Sequence, residues 1–239
     1  MVVAAILGGG RGSRMGGEMP KQFLTLGGEA VILHSLRAFL QNARVDAVLL
    51  LVPEEYVPFT ETLVRNAGLS GGKTPVTVLA GGETRGDTLL LALEYARDTC
   101  GLADTVLITH DAARPFVTQG MIEENVAGAE SCGAVNTCIP ATDTVFLSED
   151  GRFITDVPAR KNVFHAQTPQ TFRADELYGL IQAMPPEEFT SLTDGCSVFV
   201  KAGRPVYMAR GSENNIKITF PGDLKRAEQI LREQMNDEK

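Results

Sequence analysis

The chain reads as an α/β protein built on a mostly parallel sheet with helices on both faces. Two observations predict this. Continuous apolar runs at residues 2–7, 47–52, 76–79, 105–109 and 134–139 lack polar alternation, as expected of strands covered on both faces. Between them, residues 30–40, 54–66, 85–97 and 121–131 carry apolar side chains at helical spacing. The alternation of strand and helix calls for crossover connections and parallel neighbours. Ligands of such sheets bind outside the carboxyl ends of the strands, where the loops after residues 7 and 109 open.

The first strand, Val2-Val3-Ala4-Ala5-Ile6-Leu7, runs directly into Gly8-Gly9-Gly10-Arg11-Gly12-Ser13-Arg14-Met15, with Met19-Pro20-Lys21-Gln22 close behind. Glycines after a buried strand leave backbone N–H groups unhindered toward an anion. Arg11, Arg14 and Lys21 bring three cations to the same place in a chain of formal net charge −8. The plain alternative is a flexible turn with solvated cations, but the coincidence of strand, glycines and cations favours a phosphate site. The loop is not a dinucleotide fingerprint, because Met15 stands where the third glycine belongs. Gly72-Lys73-Thr74 has the ending of a Walker A loop, but Ala67 replaces its first glycine and no strand leads in.

Gly81-Gly82-Glu83-Thr84-Arg85-Gly86-Asp87-Thr88 precedes a helix, with Thr84 or Asp87 as its cap. The same turn offers carbonyls and a hydroxyl to a base, a weak signal taken alone. Thr109-His110-Asp111-Ala112-Ala113-Arg114-Pro115 follows a buried strand. A carboxylate there suits Mg²⁺ bridging nucleotide phosphates, and the bland alternative is a turn aspartate bonded to backbone. His110 reads as a packed, hydrogen-bonded side chain rather than a general base. Asp143 and Asp156 are ambiguous because both flank the hairpin described next.

Residues 142–147 and 152–157 flank Ser148-Glu149-Asp150-Gly151, whose Asp-Gly pair signals a hairpin turn. A lone two-stranded ribbon is marginal, so this projecting arm is expected to pack on another subunit. Helices at 174–184 and 221–233 close the chain, and a frayed tail is expected at 236–239. Asn214-Asn215-Ile216-Lys217-Ile218-Thr219 sets Lys217 among β-branched residues ahead of Pro221.

At 239 residues and 44% hydrophobic content, one domain spanning 1–239 is expected, with the arm inserted at about 140–163. A pI of about 5.0 argues against nucleic-acid or membrane-surface binding, which needs basic patches. Cys100, Cys132, Cys138 and Cys196 form no Cys-x-x-Cys pair and read as reduced, mostly buried residues. Neither a membrane-length apolar stretch nor a signal-peptide pattern is evident, so a cytoplasmic protein is expected.

Taken together, the glycine loop, Pro20-Lys21-Gln22, Gly81-Gly82-x-x-Arg85, His110-Asp111-Ala112-Ala113-Arg114-Pro115, Thr168-Pro169-Gln170 and Asn215-Ile216-Lys217-Ile218-Thr219 resemble a known family. It is that of the cytidylyltransferases of methylerythritol phosphate and ribitol-5-phosphate. The resemblance spans nearly the whole chain. It implies a Rossmann-like nucleotidyltransferase fold, a homodimer joined through the β-arm, and CTP with Mg²⁺. By the same resemblance, Gly8, Gly9, Gly10 and Gly12 hold the triphosphate, with Arg14 and Lys21 at the reacting phosphate. Gly82, Glu83 and Thr88 contact cytosine, and Asp111 binds the metal with Arg114 nearby. Thr144, Arg160 and Lys217 grip the polyol phosphate, the first two supplied across the dimer.

Within the resemblance, residues 19–24, 154–160 and 192–196 favour D-ribitol 5-phosphate as acceptor, and Gly195 stands where methylerythritol phosphate enzymes typically carry an acidic residue after Thr-Asp. Methylerythritol phosphate is the alternative. The expected reaction is in-line attack of the acceptor phosphate on the α-phosphate of CTP, expelling pyrophosphate. A glycosyltransferase would usually carry an Asp-x-Asp motif, which the chain lacks. A non-catalytic nucleotide sensor could dispense with Lys21 and Lys217.

Overall fold

The computed structural model describes residues 1–9 and 19–237. Its first strand β1 (Val2–Leu7) is followed by a small hairpin, β2 (Thr25–Leu26) and β3 (Glu29–Ala30), and by α1 (Val31–Leu40). Then come β4 (Ala47–Val52), α2 (Val57–Asn66), β5 (Val76–Ala80), α3 (Arg85–Cys100), β6 (Val106–Asp111), α4 (Gln119–Cys132) and β7 (Ala134–Pro140). After the arm follow β8 (Phe164–Arg173), α5 (Ala174–Gln182), α6 (Pro186–Thr190), α7 (Cys196–Lys201), β9 (Tyr207–Arg210) and α8 (Pro221–Asp237). The main sheet has the order β5-β4-β1-β6-β8-β7-β9, and β8 alone runs antiparallel to its neighbours.

Period-two alternation within apolar strands explains the layers. Val2, Ala4 and Ile6 of β1 join Val48, Leu50 and Ile108 on one face, covered by α1 and α4. Val3, Ala5 and Leu7 join Leu49, Leu51 and Leu107 on the other, covered by α3, α5 and α7. Both faces of β1, β4 and β6 are therefore dry, which is why these strands tolerate no polar alternation. A third cluster packs α8 against the small hairpin through Leu26, Phe116, Ile218 and Ile230.

From β1 the chain winds outward through β4 to β5, then returns to lay β6 on the other side of β1. This reversal opens a crevice between the ends of β1 and β6. Leu7 pairs in register with Asp111, and the Ala112 N–H donates to the Leu7 carbonyl at 3.0 Å. The Gly8 N–H donates to Leu51, at 2.7 Å, and the Gly81 N–H to Val52, at 2.8 Å. Three loops from distant parts of the chain thus meet at one edge.

Several expectations need correction. The arm segments 142–147 and 152–157 do not form regular strands; a single bridge joins Leu147 and Asp156. The chain reverses there through a wider loop than an Asp-Gly turn, with the Leu147 N–H on the Asp156 carbonyl, Gly151 at φ +70° and Asp150 Oδ1 accepting the Arg152 and Phe153 N–H groups. Phe146, Phe153, Ile154 and Val157 are exposed, so no packing supports a longer ladder. The strand β8 is absent from the apolar-run pattern, because its Gln167-Thr168-Pro169-Gln170-Thr171 looks polar and proline-broken. These side chains are buried yet satisfied: the Thr137 hydroxyl donates to the Pro169 carbonyl (2.7 Å), and Gln170 Nε2 donates to Asn136 Oδ1 (2.9 Å). Of the four thiols, only Cys138 and Cys196 are buried; Cys132 is exposed. Among the described residues, no helix is long and apolar enough to cross a membrane.

Gly195 has a packing explanation. A Cβ there would lie 2.6 Å from Cζ of Phe172, a fully buried ring stacked on Phe199. Any side chain at this position would have to displace the Phe172 ring. Gly195→Ala is expected to destabilise the fold by about 1–3 kcal/mol through overpacking, measured as a shift in urea midpoint. An unchanged midpoint would show that Phe172 yields freely.

Candidate active site

Lys21 is placed by its neighbours. A 3₁₀ turn, Lys21–Phe23, follows Pro20, and the buried Gln22 donates its Nε2 to the Gly8 carbonyl. Phe23 stacks on Tyr56 at 5.1 Å and meets Phe59 edge-on at 5.2 Å. The turn is thereby fastened at the base of the glycine loop, with Lys21 lining a cavity of about 340 Å³. Gly8, Gly9, Gly82, Glu83, Thr88, Asp111 and Lys217 line the same cavity. Gly10, Gly12, Arg14 and the neighbouring Arg11 lie outside the described residues.

The opposite wall is the start of α3. Thr84 caps it in a capping box, accepting the Asp87 N–H at 3.1 Å while Asp87 Oδ2 accepts the Thr84 N–H at 2.9 Å. Both expected capping residues therefore act together. Gly82 is required here, because an added Cβ would stand 2.2 Å from the Asp87 Cβ. The Thr88 hydroxyl donates to the Thr84 carbonyl and accepts the Gly82 N–H. Its one proton is committed to the turn, so its first effect is to shape the cavity floor. Glu83 is exposed at the rim.

Asp111 ends β6 and is 7% exposed. Arg85 Nη1 lies 3.1 Å from Oδ1, while Lys217 Nζ (2.8 Å) and Arg114 Nε (3.5 Å) address Oδ2. Burial alone would raise its pKa, but Arg85, Lys217 and Arg114 outweigh that and hold it well below the usual carboxylate range. Lys217 reaches the site from an extended segment rather than a strand. The Ile218 N–H bonds to the Ala113 carbonyl at 2.9 Å, and Ile218 is buried in the third cluster. Arg114 Nη1 donates to the Asn215 carbonyl at 2.8 Å, tying the same segment down.

A second cavity, of about 310 Å³, adjoins the first. The two share Arg85, Asp111 and Lys217, and the second adds Arg114, Gln167, Thr168, Thr193 and Asp194. Thr144 and Arg160 are exposed on the arm and are not among the residues lining either cavity of their own chain. Sequence reasoning places Arg85 and Gln22 only within motifs, without a role. The signal for Arg85 is its place immediately after the capping threonine, at a helix start facing the loop.

His110 is fully buried beneath this edge and is no base. Nε2 lies 3.0 Å from the Arg114 carbonyl, which can only accept, so the ring carries its proton there. Nδ1 then accepts from the Thr168 hydroxyl at 3.0 Å, whose oxygen takes the Asp111 N–H at 3.1 Å. Burial pushes the imidazole down to about 4.

A magnesium ion fits this donor set only in company. Among the described residues no group of three or more His, Cys, Asp or Glu side chains could enclose a metal. Mg²⁺ is satisfied by one carboxylate together with phosphate oxygens and water, so Asp111 suits an ion carried in by a nucleotide.

A switch-point crevice and a cation-lined cavity around one ionised carboxylate are features an α/β nucleotidyltransferase needs. Residues 2–233 match the family model described as IspD, 2-C-methyl-D-erythritol 4-phosphate cytidylyltransferase. The chain belongs to that family and is a cytidylyltransferase. It is similar to the 4-diphosphocytidyl-2C-methyl-D-erythritol synthase of Anaerococcus prevotii (TM-score 0.80, 21% identity, 97% of this chain and 96% of that one). It is likewise similar to the 2-C-methyl-D-erythritol 4-phosphate cytidylyltransferases of Thermus thermophilus and Francisella tularensis. The first has TM-score 0.72, 28% identity and coverage of 97% and 100%, the second 0.76, 25%, and 96% and 99%.

The buried imidazole has a consequence for pH. Unfolded, it takes a proton near pH 6.5; folded, only near 4. Between these values the unfolded chain holds one more proton, so stability falls as pH drops through the window, by about 3 kcal/mol in all. Asp111, with its depressed pKa, stabilises above the ordinary carboxylate range and loses that contribution only in stronger acid. Urea unfolding at pH 7 and pH 4.5 should show the wild type losing more stability than His110→Gln over that interval, by about 2 kcal/mol. Parallel pH profiles would show that the ring is protonated in the fold.

Proposed function

We propose that the protein transfers CMP from CTP to 2-C-methyl-D-erythritol 4-phosphate, releasing pyrophosphate and forming 4-diphosphocytidyl-2-C-methyl-D-erythritol. The observation that carries the reading is the pair of adjoining cavities sharing Arg85, Asp111 and Lys217. Two anionic substrates need two sites with a common cationic boundary. The choice of acceptor follows the family match and the named activity of the Thermus relative, which favour methylerythritol phosphate over the ribitol 5-phosphate expected from sequence. One of the grounds for ribitol 5-phosphate, the absence of an acidic residue at Gly195, also has a packing side, because a Cβ there would meet Phe172.

In this reading the glycine turn and Lys21 hold the triphosphate, Gly82 and Glu83 meet the cytosine, and Thr88 shapes their turn. An oxygen of the acceptor phosphate forms a bond to the α-phosphorus as the bond to the β-phosphate bridging oxygen breaks. The acceptor is already ionised near neutral pH, so no side chain need take a proton. Lys21 and Lys217 stabilise charge growing on the α-phosphoryl oxygens, with Arg14 assigned the same role. Mg²⁺ at Asp111, when bound, would neutralise phosphate charge. Arg114 holds the acceptor side. The protein acts in the cytoplasm, as one domain that dimerises through the arm, with Thr144 and Arg160 reaching the partner's acceptor cavity; the exposed Phe146, Phe153 and Ile154 would be covered there.

Pyrophosphate release from CTP with methylerythritol phosphate, run beside ribitol 5-phosphate, tests the acceptor; faster release with ribitol 5-phosphate reverses it. Lys21→Ala should lower turnover about a hundredfold, roughly 3 kcal/mol of transition-state stabilisation. Near-wild-type turnover would remove Lys21 from its role. Lys21→Ala and Arg160→Ala, each impaired alone, should recover activity when co-expressed, because a mixed dimer assembles one intact site. No recovery would place Arg160 in its own chain's site.

A further inference from the structure

The carboxylate offered to a metal already has cations on both oxygens, all supplied by the chain. Arg85 takes Oδ1, and Lys217 and Arg114 share Oδ2. The three are not equally free to leave. The Arg114 side chain is 11% exposed and also bound to the Asn215 carbonyl. Those of Arg85 and Lys217 are 27% and 42% exposed, and both line the first and the second cavity, so each can turn from the carboxylate toward a ligand without crossing the core.

A bare divalent ion approaching Asp111 must displace these heads against their repulsion. It brings no acceptor for them in return, and a buried guanidinium stripped of its carboxylate is left unpaired. A triphosphate changes that balance, because its oxygens accept Arg85 and Lys217 while Asp111 becomes available. From this geometry we propose that Arg85 and Lys217 keep divalent cations off Asp111 until nucleotide phosphates draw them away. Metal entry is thereby coupled to nucleotide entry, and Arg85 is a positioning residue that acts through Asp111. Linkage makes the coupling reciprocal: the nucleotide raises metal affinity by the factor by which metal raises nucleotide affinity. The inference rests on the reading that the first cavity binds a nucleoside triphosphate.

Mn²⁺ titration of the nucleotide-free enzyme, with free ion followed by electron paramagnetic resonance, tests it without turnover. Arg85→Gln should tighten Mn²⁺ binding about tenfold over the wild type by relieving one of three competing charges. Lys217→Gln, on the other oxygen, should do the same and guards against a folding defect in the first variant. Adding Asp111→Asn to either should abolish the gain. A merely structural arginine would not yield tighter metal binding when removed. Mn²⁺ affinity unchanged in both single variants overturns the proposal. A parallel calorimetric titration with CTP and Mg²⁺ separates the two readings. If CTP binds while the variants leave Mn²⁺ affinity unchanged, only the gating role falls. If the wild type binds no CTP, the assigned function falls and takes the gate with it.

Discussion

The ionised carboxylate of Asp111 at the end of a central strand is the constraint on which the site depends. It lies at the paired ends of β1 and β6, mostly buried, with only its edge facing the two cavities. Its charge persists because Arg85, Arg114 and Lys217 converge on it from a helix start, an adjacent turn and a segment over a hundred residues along the chain. Of the three, Arg114 has the buried side chain, and removing a buried partner of this kind typically costs about 3–5 kcal/mol. The carboxylate therefore binds three segments together as well as facing the ligand cavity.

The fold delivers this convergence through burial. Dry strands need helices on both faces, which forces the chain to reverse direction beside β1 and leaves a crevice there. Polar groups line the crevice only where each has a partner. His110, Thr168 and the Asp111 N–H form one chain of hydrogen bonds, while Asn125, Thr137 and the Pro169 carbonyl form another beneath α4. These networks fix β8 as the antiparallel wall of the second cavity. They also leave His110 neutral and structural at the edge of the site.

Residues near the chemistry do not all owe their identity to it. Gly195 adjoins the Thr193-Asp194 wall of the second cavity, yet its missing side chain is dictated by Phe172. Asp194 Oδ1 accepts the Ser197 N–H at 2.9 Å, so it starts α7 as well as lining that wall. Thr88 lines the first cavity with its hydroxyl committed to the turn.

Local signals were sufficient for the central strands, the covering helices and the capping box at Thr84. Each is written in a contiguous stretch whose periodicity or composition has one physical reading. Lys21, Asp111 and Lys217 were also nameable from their motifs, although nothing local showed that they share a cavity. Only the tertiary structure decided that Arg85 is an ion-pair partner of Asp111, that Gln22 fastens the loop, and that β8 is a buried strand despite its proline. It also decided that the arm carries one bridge rather than two strands. These outcomes depend on partners remote in sequence: a carboxylate that must be neutralised, an amide that must be paired, a ribbon with no surface to cover it. Side-chain pattern encodes which face of a segment is dry, whereas the identity of the opposing group emerges only when the sheet brings the segments together.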